Sequence, residues 1–350
     1  MTRLALALLL AITAVVALPA AADGRQLFTV GIGEQDEAFF ADPRVEALGL
    51  RQARLIADYD LAASGHYDAW MKAAWVGGFD VLVAFNHHSR RPRRLPSVAG
   101  YKRMLRRFLR RYPWVRTLSA WNEANASYQP TGRRPRRAAQ YYSAARSVCP
   151  DCTVVAADVL DRRGVYTWLR AFKRYVRGRP RLWGIHNYVD ANRGRRRPGR
   201  SSTERLTRRL PGRVWVTETG GVVAFRRHAN KRFSYHYNER RASRATGRVF
   251  RLARASRRIT RVYIYHWQAP AAFKSWDSGL VDYDGRARPA LDAVRREINR
   301  QRGLLFLDPV PELPVWLPAW DPVASHPNVV PTEPATSPAP PSGGITRGGR

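Results

Sequence analysis

Short apolar runs alternate with longer amphipathic segments along most of this chain. Eight of the runs are rich in Val, Ile, Trp and Tyr and have the length of a buried strand; they are 27–32, 52–56, 80–85, 117–121, 153–157, 182–187, 213–217 and 261–266. Five segments between them place apolar residues at steps of three and four and predict helices; they are 97–111, 136–147, 165–175, 237–255 and 289–300. The pattern therefore predicts alternating strands and helices, which is typical of an α/β domain.

Eight strand–helix units are typical of a (β/α)8 barrel, or TIM barrel, a single domain of about 250 residues. A doubly wound open sheet is the main alternative. Such a sheet normally carries a glycine-rich phosphate turn after its first strand, and the residues from Gly31 to Asp36 do not complete one. We therefore expect a single-domain barrel over residues 23–307.

The two ends of the chain differ from this pattern. Arg3 precedes the apolar run 4–18, and small residues follow it up to Asp23, which predicts a secretory signal peptide over residues 1–22. The run is shorter than the roughly 20 residues that span a bilayer, so a retained anchor is the alternative. Residues 308–350 contain 11 of the 24 prolines and predict a disordered tail. We expect a secreted or cell-envelope-associated protein.

Cys149 and Cys152 are the two cysteines of the chain and form a lone CxxC motif. Two thiolates exclude a four-cysteine zinc site. In an oxidising compartment the motif predicts a local disulfide, and a redox-active thiol pair is the alternative.

Polar side chains gather where the predicted strands end, which is where a barrel carries its functional residues. Glu123 ends strand four and Glu218 ends strand seven. The other polar or aromatic residues at the strand ends come from strands two, three, four, six and eight; they are Arg54, Asn86, His87, Asn122, His186, Tyr188 and Trp267. Strands four and seven face each other across an eight-stranded barrel, so the two glutamates are expected to meet.

A pair of glutamates suits glycoside hydrolysis. One carboxyl group protonates the leaving oxygen while the other attacks the anomeric carbon, and a separation of about 5–5.5 Å leads to retention of configuration. The two roles require different pKa values. Arg54 is expected to keep the nucleophile ionised, and the apolar Trp121 to keep the acid protonated.

With these residues the sequence resembles the clan A glycoside hydrolases, which are retaining enzymes on a (β/α)8 barrel. Asn122-Glu123 is similar to their strand-four signature, which implies that Glu123 is the acid/base and that Asn122 binds the sugar hydroxyl beside the anomeric carbon. Glu218 is similar to their strand-seven nucleophile. His186 and Tyr188 resemble the strand-six pair that orients the glutamates, and the aromatic that lies under the sugar in that clan corresponds to Trp267. The resemblance covers 27–300, but it assigns no role to Glu34, Asp36 and Glu37.

Several other residues have structural explanations as well as functional ones. Asp58 and Asp60 are expected to bond loop backbone or pair with arginine. His87 and His88 could ligate a metal, but no third ligand follows at a recognisable spacing, and a polar contact at the rim is favoured. Among the tryptophans, the predicted sugar platforms are Trp121, Trp267 and Trp276, whereas the predicted packing residues are Trp70, Trp75, Trp114, Trp168, Trp183 and Trp215.

The chain carries 61 Lys+Arg against 27 Asp+Glu, a net charge of +34. Five of these cations are lysines and the rest are arginines, so much of the positive excess can reflect an arginine-rich amino-acid composition rather than a function. Fifteen arginines nevertheless fall in predicted βα connections; they are Arg90, Arg91, Arg93, Arg94, Arg133, Arg134, Arg136, Arg137, Arg193, Arg195, Arg196, Arg197, Arg200, Arg226 and Arg227. Guanidinium groups at that rim suit carboxylate, sulfate or phosphate, which predicts an anionic glycan or an anionic cell envelope as the partner.

Together these features predict a secreted retaining glycoside hydrolase that acts on a poly- or oligosaccharide without a cofactor. A catalytically inactive barrel that binds anionic polysaccharide or cell envelope is the alternative. An exported nucleic-acid binder is a third hypothesis, but the sequence has no recognised nucleic-acid motif, so we expect no such partner. The sequence leaves open the sugar, the linkage, endo or exo action, and the oligomeric state.

Overall fold

The structure is a computed structural model that describes residues 27–193, 201–226, 233–271, 273 and 275–315. The predicted signal peptide and residues 316–350 of the predicted tail lie outside the described residues. Within the described part of the chain, no helix combines the length and the apolar character that crossing a membrane requires.

Eleven strands are present in the described residues. In chain order they are β1 (Thr29–Gly33), β2 (Gln52–Asp58), β3 (Asp80–Asn86), β4 (Thr117–Ser119), β5 (Thr153–Leu160), β6 (Leu182–His186), β7 (Arg213–Thr219), β8 (Ala224–Arg226), β9 (Phe233–Tyr235), β10 (Ile259–Tyr265) and β11 (Trp276–Asp277).

Eight of these strands close into a parallel barrel in the order β1-β10-β7-β6-β5-β4-β3-β2, so that β10 is the eighth barrel strand. The predicted (β/α)8 barrel is confirmed, and all eight predicted strands are present. The alternative of an open doubly wound sheet is wrong. The remaining strands form a small antiparallel sheet, β11-β8-β9, after β7 and beside the rim.

Nine α-helices accompany the strands in the described residues. They are α1 (Pro43–Ala47), α2 (Asp68–Val76), α3 (Val98–Arg111), α4 (Pro135–Val148), α5 (Val165–Tyr175), α6 (Tyr188–Asn192), α7 (Ser202–Arg209), α8 (Glu239–Arg254) and α9 (Pro289–Leu304). The five predicted helices correspond to α3, α4, α5, α8 and α9. The four that the sequence pattern missed are short.

Helix α3 illustrates how the sequence specifies these elements. The Ser97 side chain accepts a hydrogen bond from the Gly100 amide and begins the helix. Tyr101, Leu105 and Phe108 are buried on one face, at steps of four and three residues. The arginines between them point outward, so one sequence pattern provides both the core contact and the positive surface.

Side chains pack the inside of the barrel. Leu82 of β3, Val155 of β5, Trp215 of β7 and Tyr263 of β10 form one buried apolar cluster. Gly31 makes room for it, because a Cβ there would lie 2.7 Å from Tyr263 Cδ1. Leu82 is the register partner of Arg54, so this cluster lies directly beside the polar residues described below.

The structured body extends beyond the predicted boundary at residue 307. The amide of Val310 donates to Asn299 Oδ1 at 2.7 Å, and Val310 is buried. The Ala287 amide donates to the Val315 carbonyl at 2.6 Å. The described beginning of the predicted tail, residues 308–315, therefore packs against α9.

Candidate active site

Arg54 lies at the centre of a buried polar cluster inside the barrel. Its Nη1 donates to Glu218 Oε2 at 2.7 Å, and its Nη2 donates to Asn122 Oδ1 at 2.7 Å. Nη2 also lies 3.3 Å from Asp158 Oδ2. Because the guanidinium is a rigid fork, these contacts fix Glu218 and Asn122 relative to each other.

His186 of β6 lies between Glu123 and Asp158 in this cluster and contacts both. Its Nδ1 lies 3.1 Å from Glu123 Oε1, and its Nε2 lies 3.1 Å from Asp158 Oδ1. Tyr188 donates its hydroxyl to Glu218 Oε1 at 3.1 Å. One carboxylate oxygen of Glu123, one of Glu218 and a ring nitrogen of His186 all lie within 4.8 Å of one another. The structure thus brings the two predicted glutamates together.

The backbone takes unusual conformations at the residues that aim these side chains. Glu123 has φ 46°, and Ala157 and Asp158 have φ 71° and 48°, in the left-handed region that residues with a Cβ rarely adopt. The pairing of β5 with β6 shifts register between Ala156 and Val159, as in a β-bulge. The bulge turns Asp158 into the barrel. Strained backbone of this kind is common at functional sites.

The electrostatics distinguish the two acids that His186 contacts. Burial, together with the nearby charge of Glu218, raises the pKa of Glu123 above its ordinary value, although the His186 hydrogen bond opposes the shift. For Asp158, burial acts in the same direction, but the charges of His186 and Arg54 outweigh it and lower the pKa of this carboxyl group. Asp158 is therefore the ionised partner and Glu123 the one that is easier to protonate.

The pKa of His186 rises to about 10, because Glu218 and Asp158 outweigh the burial that disfavours its charge. At neutral pH its two ring nitrogens are therefore both protonated and donate to Asp158 and Glu123. With Glu123 protonated, the cluster contains two positive charges, on Arg54 and His186, and two negative charges, on Asp158 and Glu218. A balanced set of this kind lowers the cost of burying charge.

Similar solved structures are known, although no protein-family model matches the sequence and no curated protein is similar to it. GH5_18 from Streptomyces cattleya, in complex with GlcNAc, has a TM-score of 0.58 at 18% identity, over 82% of this chain and 83% of that chain. Native xylanase 10B from Thermotoga maritima has a TM-score of 0.55 at 11% identity, over 79% and 96% of the two chains. This chain has the barrel fold of the clan A glycoside hydrolases. A beta-glucuronidase from Faecalibacterium prausnitzii matches with a TM-score of 0.55 at 12% identity, over 79% of this chain and 49% of that chain.

Asp158 is a residue of this barrel site that the sequence pattern missed. It accepts hydrogen bonds from Ser119 Oγ at 2.8 Å and from Thr217 Oγ1, in addition to its contacts with Arg54 and His186. The predicted fifth strand ended at residue 157. A lone aspartate among apolar residues, before Val159 and Leu160, was the signal that could have revealed it.

Trp267 lies in a different position from the one that stacking on a sugar requires. Its indole is 2% exposed, packs edge-on against Phe39 with ring centres 5.6 Å apart, and donates to Asp42 Oδ2 at 2.9 Å. Tyr265, two residues earlier, is the aromatic at the end of β10. Burial raises its pKa, and the charges of Glu218 and Glu34 add to the shift. Tyr265, rather than Trp267, is therefore the aromatic of this strand end that interacts with Glu218.

Glu34 links the first and last strands of the barrel. Its Oε2 accepts from the amides of Trp267 at 2.9 Å and Gln268 at 3.2 Å, and its Oε1 accepts from Gln35 at 2.6 Å and Asp36 at 3.2 Å. The carboxylate thus joins the loop after β1 to the loop after β10. The resemblance gave Glu34 no role, and its position is structural support beside Tyr265.

Asn86 and His87 lie at the rim, away from the bridged glutamates. Asn86 donates to Asp58 Oδ1 at 2.9 Å and accepts from Gln129 Nε2 at 2.7 Å. His87 Nδ1 lies 4.0 Å from Asp58 Oδ1. Through Gln129, which also accepts from the Trp121 indole at 3.0 Å, Asn86 connects to the segment after β4 that carries Glu123.

Three predictions about packing and bonding can be compared with the structure. Cys149 and Cys152 form the predicted disulfide between α4 and β5. Trp75, predicted to pack, lies on the outer face of α2, where its ring contacts Trp114 with ring centres 5.2 Å apart while 59% of the residue stays exposed. Trp121, predicted as a platform, is buried and stacks on Tyr141 with ring centres 5.0 Å apart.

Glu123, His186 and Glu218 are close enough together to be considered as a metal site. The surrounding charge argues against it. His186 is protonated at neutral pH, and a protonated imidazole offers no lone pair to a metal. Arg54 already occupies Glu218 Oε2. The protonated imidazole and the Arg54 contact therefore disfavour a metal at these three residues.

Proposed function

We propose that the protein is a retaining glycoside hydrolase. The observation that carries the proposal is the bridged pair of glutamates, held by Arg54, His186 and Tyr188 within one buried cluster. One oxygen from each glutamate lies within 4.8 Å of the other, which supports the short separation of retaining enzymes, about 5–5.5 Å, over the 6.5–9.5 Å of inverting ones.

In the first step, Glu218 attacks the anomeric carbon while Glu123 gives its proton to the departing glycosidic oxygen. The C–O bond to the leaving sugar breaks, and a covalent ester to Glu218 forms. Arg54 and Tyr188 hold the two Glu218 oxygens, so the nucleophile is oriented before substrate binds. The raised pKa of Glu123 suits its role as the acid.

In the second step, Glu123 takes a proton from a water molecule, and the oxygen of that water attacks the anomeric carbon. The bond between this carbon and the Glu218 oxygen breaks, which releases the sugar and frees the Glu218 carboxylate. His186 donates to Glu123 Oε1 and keeps this carboxyl group in place as it changes protonation. Arg54 fixes the Asn122 amide through its Oδ1, so its NH2 is oriented to donate to the hydroxyl beside the anomeric carbon. No cofactor is required in either step.

The proposed substrate is a poly- or oligosaccharide that carries anionic groups. Seven of the ten described arginines of the predicted rim set lie in connections after β3, β4 and β6; they are Arg90, Arg91, Arg93, Arg94, Arg133, Arg134 and Arg193. The other three were wrongly predicted to lie in connections, because Arg136 and Arg137 belong to the first turn of α4 and Arg226 ends β8. The remaining five of the fifteen are outside the described residues. One neighbour of the same fold is a beta-glucuronidase, which gives a precedent for an acidic sugar on this barrel. Secretion is proposed from the leader sequence, and a disulfide suits an oxidising compartment.

Mechanism-based trapping tests the reaction. The protein is incubated with 2-deoxy-2-fluoro glycosyl fluorides of glucose, mannose, xylose and glucuronic acid, and then digested for peptide mass spectrometry. We expect one of the sugars to be attached to Glu218, and Glu218→Gln to abolish labelling and to reduce turnover by about a thousandfold or more. A label on another side chain, or first release of the inverted anomer by NMR, would contradict the proposal. Binding of glycans without turnover of any would favour the alternative of an inactive polysaccharide-binding barrel.

A further inference from the structure

The outer helices α8 and α9 run side by side and leave a groove between them. Ser243 Oγ, near the start of α8, donates to the Pro289 carbonyl at the start of α9 at 2.7 Å. Near the far end, Arg254 pairs with Glu297. The helices are therefore parallel, and the cavity between them has a volume of about 550 Å³. We call it the α8/α9 groove.

The α8/α9 groove is lined mainly by positive charge. Its six arginines are Arg244, Arg248, Arg251, Arg254, Arg296 and Arg300. Glu297 is the single acidic side chain in the lining, and it lies close to both Arg254 and Arg300. Asp292, outside the lining, pairs with Arg296 at 3.4 Å, so two carboxylates face six guanidinium groups and cannot neutralise them. The groove therefore attracts anions.

The arginines form two rows, one on each helix. Arg244, Arg248 and Arg251 follow one face of α8 at steps of four and three residues, and Arg254 continues the row. Ten residues of α-helix rise by about 15 Å, so this row is longer than a single anionic group. Arg296 and Arg300 face it from α9, one turn apart. The spacing suits an extended ligand with several negative charges.

Arg300 provides donors that have no acceptor among the described residues. Its Nε and Nη2 are buried and make no hydrogen bond; Nε lies 3.5 Å from Glu297 Oε1 without hydrogen-bond geometry. These two nitrogens form one edge of the guanidinium, which is the edge that grips a carboxylate side-on with two bonds. An oxyanion in the groove would satisfy both donors.

We propose that the α8/α9 groove binds a strand of anionic polysaccharide through its carboxylate groups, at a site separate from Glu123 and Glu218. An extended chain fits the two rows better than a single ion does. The groove is concave, and Phe250 at its base is buried, so it offers no aromatic platform for stacked bases and no exposed apolar face for a bilayer. Carboxylates spaced along a sugar polymer match the arginine forks.

The groove begins at the side of the barrel where the candidate active site opens. The Asn238 amide, just before α8, donates to the Val223 carbonyl at 3.0 Å, next to the sheet of β8, β9 and β11. In that sheet Trp276 packs edge-on against Tyr188, with ring centres 5.0 Å apart. A polymer held between α8 and α9 thus lies along a path that reaches the catalytic rim.

Two triple variants with the same loss of charge test the proposal. The first, Arg244→Gln/Arg251→Gln/Arg300→Gln, removes three arginines from the groove. The second, Arg106→Gln/Arg110→Gln/Arg170→Gln, removes three exposed arginines from the outer faces of α3 and α5. Binding of fluorescent polygalacturonate to the full-length proteins is measured by anisotropy over a NaCl series. Uncharged dextran and a DNA duplex serve as the other probes, and circular dichroism checks folding.

We expect the groove variant to bind polygalacturonate about tenfold more weakly at 0.1 M NaCl and to show a shallower salt dependence, whereas the control variant changes less than about twofold. Equal losses in both variants would show that the general charge of the protein is responsible, and no loss in the groove variant would show that the groove does not bind the polymer; either result would overturn the proposal. So would a loss confined to DNA. If the groove variant does not fold, the exposed single change Arg251→Glu is compared with Arg106→Glu by the same criteria. Because binding is read without turnover, the result is independent of the proposed reaction.

Discussion

Among single residues, Glu123 carries the proton on which the proposed reaction depends. Its carboxyl group shares a buried space with two other acids, and Asp158 and Glu218 each contact Arg54, whereas Glu123 contacts only His186 among the basic groups of the described residues. The cluster is electrically balanced when Glu123 is neutral. The arrangement therefore favours the protonated form of Glu123, which is the form that the proposed mechanism requires.

The pH dependence of Glu123→Gln tests this assignment. In the unmodified protein, kcat/KM should fall as pH rises through the raised pKa of Glu123, because only the protonated acid assists departure of the leaving group. That limb lies above the ordinary glutamate value of 4.5. In Glu123→Gln the limb should disappear, and kcat/KM for a poor leaving group should fall by about a hundredfold to ten-thousandfold.

A dinitrophenyl glycoside provides the control for that measurement, because its leaving group departs without a proton. Its first-step rate in Glu123→Gln should fall much less than that of an alkyl glycoside. Equal losses for the two glycosides, or a variant that keeps the alkaline limb, would show that another group donates the proton.

Single residues also show the limits of prediction from sequence. Glu123 and Glu218 could be predicted, because each follows an apolar run and strands four and seven face each other in a barrel. Asp158 could not, since its place depends on a bulge inside a strand. Tyr265 and Trp267 are both aromatic and two residues apart, so the choice between them depends on how the chain turns after β10.

At the scale of elements, the bulge in β5 packs closely against a glycine in the neighbouring strand, β6. Gly184 of β6 faces Asp158, and a Cβ on Gly184 would lie 2.5 Å from Asp158 Oδ1 and 2.8 Å from Val155 Cγ1. Asp158 in turn contacts the His186 imidazole at 3.1 Å. The position of the bulged strand therefore determines the position of His186, which contacts Glu123.

Gly184→Ala tests this fit between the two strands. The added methyl should displace Asp158, lower the free energy of unfolding by about 1–3 kcal/mol, and reduce kcat by up to about a hundredfold through misplaced His186. Urea denaturation and steady-state kinetics measure the two effects.

Gly303→Ala is the matched control, because a Cβ at this position in α9 has open space around it and alanine favours the helix. It should leave both activity and stability at or slightly above their original values. A Gly184→Ala protein with unchanged activity would show that Asp158 does not depend on the small residue in β6.

The helices that the sequence predicted correctly are those with a long amphipathic pattern. The amphipathic stripe of α3 covers four turns and leaves little ambiguity. The helices α1, α2, α6 and α7 have five to nine residues, too few to display a period clearly. Helices this short depend on tertiary contacts and caps, such as Ser201 with Glu204 at α7, more than on their own sequence.

At the scale of the whole molecule, the arginines behind the net charge of +34 lie both near the rim of the candidate active site and on the outer helices. Composition alone could not separate a functional excess from an arginine-rich background. The structure shows a different environment for each of three arginines. Arg54 holds Glu218 and Asn122, Arg44 pairs with Asp42, and Arg300 has two nitrogens without a hydrogen-bond acceptor among the described residues. The arginines therefore have different roles, and charge as such assigns none of them.

Comparing charged with neutral substrates tests the role of the rim arginines. We expect kcat/KM for uronic oligosaccharides to exceed that for their neutral counterparts at low salt and to fall several-fold as NaCl rises from 0.01 to 0.5 M, because mobile ions screen the rim. Neutral substrates should change little. Equal rates that do not depend on salt, measured with purified full-length protein, would mean that the rim does not select for charge.

The charge balance of the cluster around Arg54 also limits which substitutions the sequence can accept during evolution. Loss of one charged member, for instance His186, would leave Asp158 buried with less compensation, at a cost of about 3–5 kcal/mol. Such a change is tolerable only if its partner changes at nearly the same time. Homologues should therefore keep or lose Arg54, Asp158 and His186 as a set, and an alignment of diverged barrels should show these three columns varying together even where the rest of the chain has become unrecognisable.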